Sequence, residues 1–272
     1  MEPTYVIIII VAAMVLLLFI LIAPGNAGDR KKPFTGRNIA HRGLYSEDQS
    51  IPENSLPAFA RGADLGYGVE LDVQLTRDGQ VVVFHDNTLE RMCGVPQRID
   101  ELDLAKLREL RLCNTEERIP LFSDVLETVS GRVPIIVELK NVPQNRELCE
   151  KTLALIESYE GEICVESFNP KNVAFFARRA PRLFRGQLAQ PLKYYTADGL
   201  SVFTGFLLSN LLFNVVSRPH FIAYMIGGKP LSLRICEALG AVTAVWTSHD
   251  RTAESLYDIV IFEHYEPETR FK

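Results

Sequence analysis

The stretch GVELDVQLTRDGQVVVFHD, residues 68–86, decides how this chain folds. It opens as an alternating run, turns at Arg77-Asp78-Gly79-Gln80, and continues into a second β-branched run, VVVFHD. Asp-Gly between alternating residues predicts a hairpin, so the two runs lie antiparallel. Around this stretch, from residue 38 onward, short β-branched runs alternate with longer amphipathic ones, the pattern of a parallel sheet covered by helices. The runs NIAH, GVELD, VPIIVELK, ICVESF, LFRGQLA, HFIAYM, AVTAVWT and DIVIF number eight. Eight βα units predict a TIM (β/α)8 barrel, with a doubly wound sheet as the alternative. A parallel crossover needs about a dozen residues or more, so VVVFHD is no neighbouring stave. The second barrel strand instead continues past the rim as a hairpin and returns.

Helices between the runs follow from local chemistry. SLPAFARGADLG has Asn54 or Ser55 as N-cap and Pro57 early, and NRELCEKTLALIESYE repeats Leu148, Leu153 and Ile156 at helical spacing. Strand period then places the charges. A two-residue Asp78-Gly79 loop sets Thr76 opposite Val81 and Asp72 opposite His85. Glu70 and Asp72 share a face, as do Glu138 and Lys140 at the end of an otherwise apolar strand. Barrel chemistry sits at the carboxyl ends of the strands, so His41, Glu70, Asp72, His85 and Glu138 form one neighbourhood. Three carboxylates together raise one another's pKa unless a cation neutralises them, and oxygen ligands favour Mg²⁺ or Ca²⁺.

Composition narrows the classes. A net charge of −5 with no basic stripe gives a nucleic-acid partner no electrostatic support. The run VIIIIVAAMVLLLFILIA, residues 6–23, carries no charge and is long enough to cross ~30 Å of hydrocarbon. A secretory signal would be basic ahead of its apolar run, whereas only Glu2 precedes this one; Gly25-Asn26-Ala27 is the cleavage-like feature on the other side. Asp29-Arg30-Lys31-Lys32 follows the run, and basic flanks favour the cytoplasm. The expected organisation is a retained single-pass anchor (1–27), a basic juxtamembrane linker (28–37) and a cytoplasmic barrel domain (38–272). Five cysteines without a Cys-x-x-Cys pair read as reduced thiols.

The segments HRG (41–43), PENS (52–55), GVELDVQLTRDGQVVVFHDNTLER (68–91), VELK (137–140), SF (167–168) and VWT (245–247) resemble, in order, the glycerophosphodiester phosphodiesterase family. The resemblance implies a TIM barrel, one divalent cation, Mg²⁺ or Ca²⁺, and hydrolysis of a phosphodiester with glycerol on one side. It implies that Glu70, Asp72 and Glu138 hold the metal with Glu53 close by, and that His41 and His85 form an acid/base pair. It further implies that Arg42 and Lys140 neutralise phosphate oxygens, that Asn54 fixes the loop or a phosphate oxygen, and that Trp246 walls the substrate cleft. The first nucleophile is then the glycerol 2-hydroxyl, giving a cyclic phosphate that water opens, or else water directly. Three departures fall on the substrate side: ENS replaces the commoner ENT, VWTSHD lacks an asparagine after the tryptophan, and DIVIFEHYEP lacks a Thr-Asp pair.

Each feature has a plainer reading. His41 capping a strand, Arg42 pairing with Glu53 on the surface and Asn54 capping a helix would explain the loop alone, though not Glu70, Asp72, His85 and Glu138 beside it. His220, His249 and His264 have no carboxylate at site-like spacing and read as structural or surface residues. Lys193-Tyr194-Tyr195 reads as a loop, and Arg178-Arg179 as a complement to a helix dipole. GLSVFTGFLLSNLLFNVVSRP, residues 199–219, is unusually apolar for a βα connection. It reads first as an outer helix with a buried face, and second as a wall that meets the bilayer or an acyl chain. The functional expectations are therefore a glycerophosphodiester phosphodiesterase, a lysophospholipase D acting on lysophospholipids at the membrane, or a non-catalytic barrel that binds a phosphorylated headgroup.

Overall fold

Strand alternation divides the molecule into an inner and an outer layer, which is how the barrel closes. The structure, a computed structural model, describes residues 3–272. Its strands are β1 (Arg37–Ala40), β2 (Gly68–Leu75), β3 (Val81–Val83), β4 (Ile135–Leu139), β5 (Ile163–Ser167), β6 (Phe184–Ala189), β7 (Phe221–Met225), β8 (Val242–Ser248) and β9 (Ile259–Phe262). They run in the order β1-β9-β8-β7-β6-β5-β4-β2, and β1 pairs with β2 to close eight parallel strands; β3 adds antiparallel to β2. Each of the eight expected runs is a barrel strand, and VVVFHD begins as the hairpin partner. Val69, Leu71, Val73 and Leu75 pack outward with Ile135, Val137 and Leu139 against helices such as α2 (Leu56–Asp64) and α3 (Phe122–Val129). Ile39, Ile136, Cys164, Phe184, Phe221, Val242 and Ile259 fill the amino-terminal end of the interior. Gly68 lies in this layer because a Cβ there would stand 2.3 Å from Ile39 Cδ1.

Ser55 is the N-cap of α2, accepting from Ala58 N, and Pro57 sits in its first turn, where a missing N–H costs nothing. Leu148, Leu153 and Ile156 are buried along α4 (Asn145–Glu157), as their spacing requires. The hairpin differs by one residue from its expected register. Leu75 faces Val81 and Thr76 N donates to Gln80 O, so Phe84, not His85, lies opposite Asp72. The turn has three residues rather than two, with Gly79 at φ +74° closing it and Thr76 Oγ1 donating to Asp78 Oδ1. After β3 the chain makes an excursion with its own core of Val82, Phe84, Leu89, Met92, Ile99, Leu107, Leu112 and Ile119 before β4 returns it to the barrel.

The amino-terminal helix α1 (Pro3–Ile22) is exposed along its length until Ile22, which is fully buried. The segment expected as a linker, 28–37, is packed against the domain. Ala27 and Phe34 belong to the barrel's interior cluster, with Phe34 stacked on Phe184 at 5.2 Å. Burying a phenylalanine contributes about 1.5–3 kcal/mol, enough to hold this segment under the barrel. Residues 199–219 form two short helices rather than one outer helix, and Lys193-Tyr194-Tyr195 lies on a helix too. After α5 (Pro170–Arg179) in the preceding unit, these three are α6 (Leu192–Ala197), α7 (Val202–Ser209) and α8 (Asn214–Ser217), with a break at Leu211, where φ is +62°.

His220 closes the same end of the barrel. Its ring is buried and stacked on Phe184 at 5.9 Å, and its Nδ1 has no partner among the described residues. Burial, with Arg185 and Arg30 nearby, pushes its pKa down to about 3. The unfolded chain, with an ordinary histidine pKa of about 6.5, binds a proton first as the pH falls. Stability is therefore lost between about pH 6.5 and 3. His220→Phe is expected to flatten melting temperature against pH within that window; identical slopes for the two proteins would refute this origin.

Candidate active site

Strand ends at the carboxyl rim converge because adjacent strands are in register. Asp72 is level with Glu138 and Glu138 with Glu166, and the two-residue period adds Glu70 to the same inward face. Carboxylate oxygens of Glu70, Asp72 and Glu138 lie within 4.8 Å of one another, and all three side chains are buried. Such a group of hard oxygen donors fits a divalent cation. Burial first, then the charges of Asp72, Glu166 and Glu138, holds the Glu70 carboxyl well above the usual range. Asp72 is driven the other way: burial opposes ionisation, but Lys140, His85 and Arg42 outweigh it and keep the group ionised. Lys140 Nζ lies 3.0 Å from Glu138 Oε1 and 3.3 Å from Asp72 Oδ1, and these neighbours raise its pKa despite burial.

His41 follows β1 directly, and its Nδ1 is 2.8 Å from Glu263 Oε2. Glu263 has a pKa lowered to about 2: burial alone would raise it, but the His41 and Tyr45 hydrogen bonds prevail. An ionised carboxylate only accepts, so Nδ1–H donates to it and Nε2 carries the lone pair. That Nε2 is 4.0 Å from Glu70 Oε2. Burial lowers the His41 pKa and the Glu263 contact partly restores it, so the resting imidazole is neutral near pH 7. His85 is built alike, with Nδ1 2.7 Å from Asp86 Oδ1. Burial would raise Asp86, but His85 and Arg91 hold it below the usual carboxylate range, so this Nδ1 also donates and leaves its Nε2 free.

A cleft of about 1060 Å³ is lined by His41, Arg42, Glu70, His85, Glu138 and Lys140 at its charged end and by Trp246 and Phe168 beyond. Trp246 stands edge-on to Phe168 at 5.5 Å and donates from Nε1 to Ala223 O. Two further residues singled out in the sequence reach the site through their neighbours. Glu53 is outside the carboxylate group: its oxygens accept from Arg42 and from Arg91, at 2.7–2.9 Å. Asn54 is buried behind the cleft and donates from Nδ2 to Asp72 Oδ2 at 2.9 Å. Arg42, at φ +55°, donates its backbone N–H to Glu70 Oε2 while its guanidinium reaches Glu53, so one residue ties the loop to the carboxylates.

Three acidic residues absent from the sequence reading belong here: Glu263, Asp86 and Glu166. The rule that singles out Glu138, a charge ending an apolar strand, applies equally to Glu166 in ICVES and to Glu263 after IVIF. Glu166 is buried, its Oε2 has no partner among the described residues, and burial with Glu138 and Asp72 raises its pKa well above normal. His249 and His264, read as lacking a carboxylate, both face Glu263 Oε1, at 3.7 and 3.8 Å. Glu263→Gln would disturb the His41 tautomer. A hydrogen bond to a charged group contributes about 1.5–3 kcal/mol, so kcat on a diester substrate is expected to fall roughly 10- to 100-fold. An unchanged rate would remove Glu263 from the machinery.

Comparisons with known proteins agree with this geometry. The model of the glycerophosphoryl diester phosphodiesterase family matches residues 41–266. A glycerophosphodiester phosphodiesterase of Caldanaerobacter subterraneus is 32% identical over 163 residues, covering 56% of this chain and 66% of that one. A human lysophospholipase D is 32% identical over 146 residues, 49% of this chain and 45% of its own. The chain thus aligns with about two thirds of the bacterial relative and less than half of the human one. Among solved structures, an Oleispira antarctica phosphodiesterase in complex with sn-glycerol-3-phosphate superposes with TM-score 0.68 at 21% identity, over 84% of this chain and 93% of that one. A Thermotoga maritima glycerophosphodiester phosphodiesterase gives 0.61 at 25% identity, over 83% and 93%.

Proposed function

Because the chain belongs to the glycerophosphoryl diester phosphodiesterase family, we propose that it hydrolyses glycerophosphodiesters to an alcohol and a glycerol phosphate. The observation that carries this reading is a pair of imidazoles, His41 and His85, each with Nδ1 engaged by a carboxylate and both lining one cleft with the Glu70, Asp72 and Glu138 group. Glu70, Asp72 and Glu138 would hold Mg²⁺ or Ca²⁺. When bound, the cation spreads the negative charge of the phosphodiester that otherwise repels a nucleophile.

The chain's own residues do the rest. Arg42 and Lys140 lie beside the carboxylates and offer positive charge to the non-bridging phosphate oxygens. Glu53, held by Arg91, fixes the Arg42 guanidinium, and Asn54 orients Asp72. One imidazole Nε2 accepts the proton of the attacking hydroxyl, and the other, protonated, gives its proton to the departing alkoxide as the P–O bond breaks. The attacking group is the glycerol 2-hydroxyl, with water opening the resulting cyclic phosphate, or water in one step. Trp246 and Phe168 close the side of the cleft on which the rest of the substrate lies.

We place α1 across a membrane as a single-pass anchor, with the barrel on the cytoplasmic side that Arg30, Lys31 and Lys32 favour. A second reading, action on lysophospholipids, is favoured by the apolar side chains that continue the cleft away from the histidines. The test is product analysis: detergent-solubilised full chain with glycerophosphocholine, glycerophosphoethanolamine or lysophosphatidylcholine, with either cation. Free alcohol plus glycerol phosphate, or lysophosphatidic acid from the lysolipid, supports hydrolysis. Stoichiometric binding of these compounds without turnover would favour the headgroup-binding barrel.

A further inference from the structure

The apolar half of the cleft and the end of α1 are built from the same segment. Between Gly199 and Ser217 there is no Asp, Glu, Lys or Arg. Leu200, Thr204, Leu208, Phe213 and Val216 of this segment line the cleft. Neighbouring positions turn outward: Phe203 is 72% exposed, Val202 66% and Phe206 49%. Asn214 of this segment, with Arg218 just after it and Cys236 on a later helix, grips the end of α1. Asn214 Nδ2 donates to Ile22 O at 2.9 Å, Arg218 Nη1 donates to Ile20 O and Ala23 O at 3.1 and 2.9 Å, and Cys236 Sγ donates to Ile22 O at 3.2 Å. Carbonyls that end a helix have no partner within it, and here side chains of the barrel supply them. The span therefore enters the domain through a fixed joint, with no free linker between.

We propose that the outward face of α7 and α8 rests in the interfacial layer of the bilayer, and that the apolar arm of the cleft takes the aliphatic chain of a membrane-resident monoacyl phosphodiester. This rests on the diester hydrolysis and the lysophospholipid reading proposed above, and adds the surface through which a membrane lipid reaches that site. Three observations make the bilayer the occupant. The face is contiguous through Asn214 and Arg218 with a helix long enough to span ~30 Å of hydrocarbon. It has no charge to desolvate, and each exposed phenylalanine gains free energy on leaving water. On α7, cleft-lining Thr204 and Leu208 alternate with outward Val202, Phe203 and Phe206, so one short helix presents apolar side chains both to the cleft and to the outside. A diester without an aliphatic chain uses only the charged end and needs none of this surface.

The experiment uses the full chain in phosphatidylcholine nanodiscs containing lysophosphatidylcholine, with glycerophosphocholine as the soluble substrate. Phe203→Ser with Phe206→Ser changes side chains outside the cleft lining. The expected result is a loss of about tenfold or more in kcat/KM on the lysolipid, with turnover of glycerophosphocholine within about twofold. In parallel, Phe203→Trp is expected to add fluorescence that brominated phosphatidylcholine quenches, beyond the quenching of the parent's single Trp246. Equal lysolipid turnover in the double variant, or an added tryptophan that the bromolipid leaves unquenched, would overturn the proposal. Absence of glycerophosphocholine turnover in the parent would instead count against the hydrolase reading, and the quenching result would still decide the surface.

Discussion

His41→Ala is expected to lower kcat by about 10²- to 10⁴-fold while leaving the fold and the cation affinity in place, because positioned proton transfer contributes about that much. The imidazole is tethered through Nδ1 to Glu263 and presents Nε2 to the cleft, so removing it takes away a proton carrier and no core contact. His85→Ala is expected to cost a similar factor, since Asp86 fixes its ring in the same sense. The two losses should not add: once either proton transfer is missing, the other histidine acts on a step already limiting. Steady-state headgroup release at saturating substrate measures His41→Ala, His85→Ala and the double variant. A His41→Ala rate within a few-fold of the parent, at equal melting temperature, would show that His41 carries no proton.

Removing the divalent cation is expected to abolish turnover and to soften the protein. Three buried carboxylates within 4.8 Å, with a fourth at Glu166, repel one another, and burial first, then that repulsion, raises the pKa values of Glu70, Glu138 and Glu166. A cation present at about a hundred times its dissociation constant stabilises the folded state by ~2.7 kcal/mol. For a domain of this size that corresponds to a melting temperature higher by roughly 5–10 °C. Asp72→Asn should lose most of this increment, because Asp72 is the carboxylate that its neighbours keep ionised. Metal-free protein, verified by elemental analysis, that keeps both its activity and its melting temperature would exclude the carboxylate group as a cation site.

The barrel strands and the hairpin were readable because a period of two and an Asp-Gly turn are local properties. The hairpin register was off by one because the turn's third residue is recruited by Thr76 and Asp78, a side-chain contact that spacing does not reveal. His41, Arg42, Glu70, Asp72, His85, Glu138, Lys140 and Trp246 were all singled out from the sequence, and the structure gathers them on one cleft or directly beneath it. Glu53 is expected close to the metal, and Asn54 at the loop or a phosphate oxygen. In the structure Glu53 accepts from Arg91, 38 residues away in an irregular excursion, and Asn54 donates to Asp72, contacts that local spacing does not announce. The joint between α1 and the barrel links Arg218 to Ile20 across 198 residues, and no local pattern announces such a contact.

Glycerophosphocholine hydrolysis in ¹⁸O-water, followed by ³¹P NMR, tests the central claim most directly. The parent with Mg²⁺ or Ca²⁺ is predicted to place ¹⁸O in the glycerol phosphate and none in the choline, and His41→Ala and chelator-treated protein are predicted to give neither product at a comparable rate. Label in the choline, or no turnover by folded, cation-loaded parent on any glycerophosphodiester, would contradict attack at phosphorus by the His41 and His85 pair.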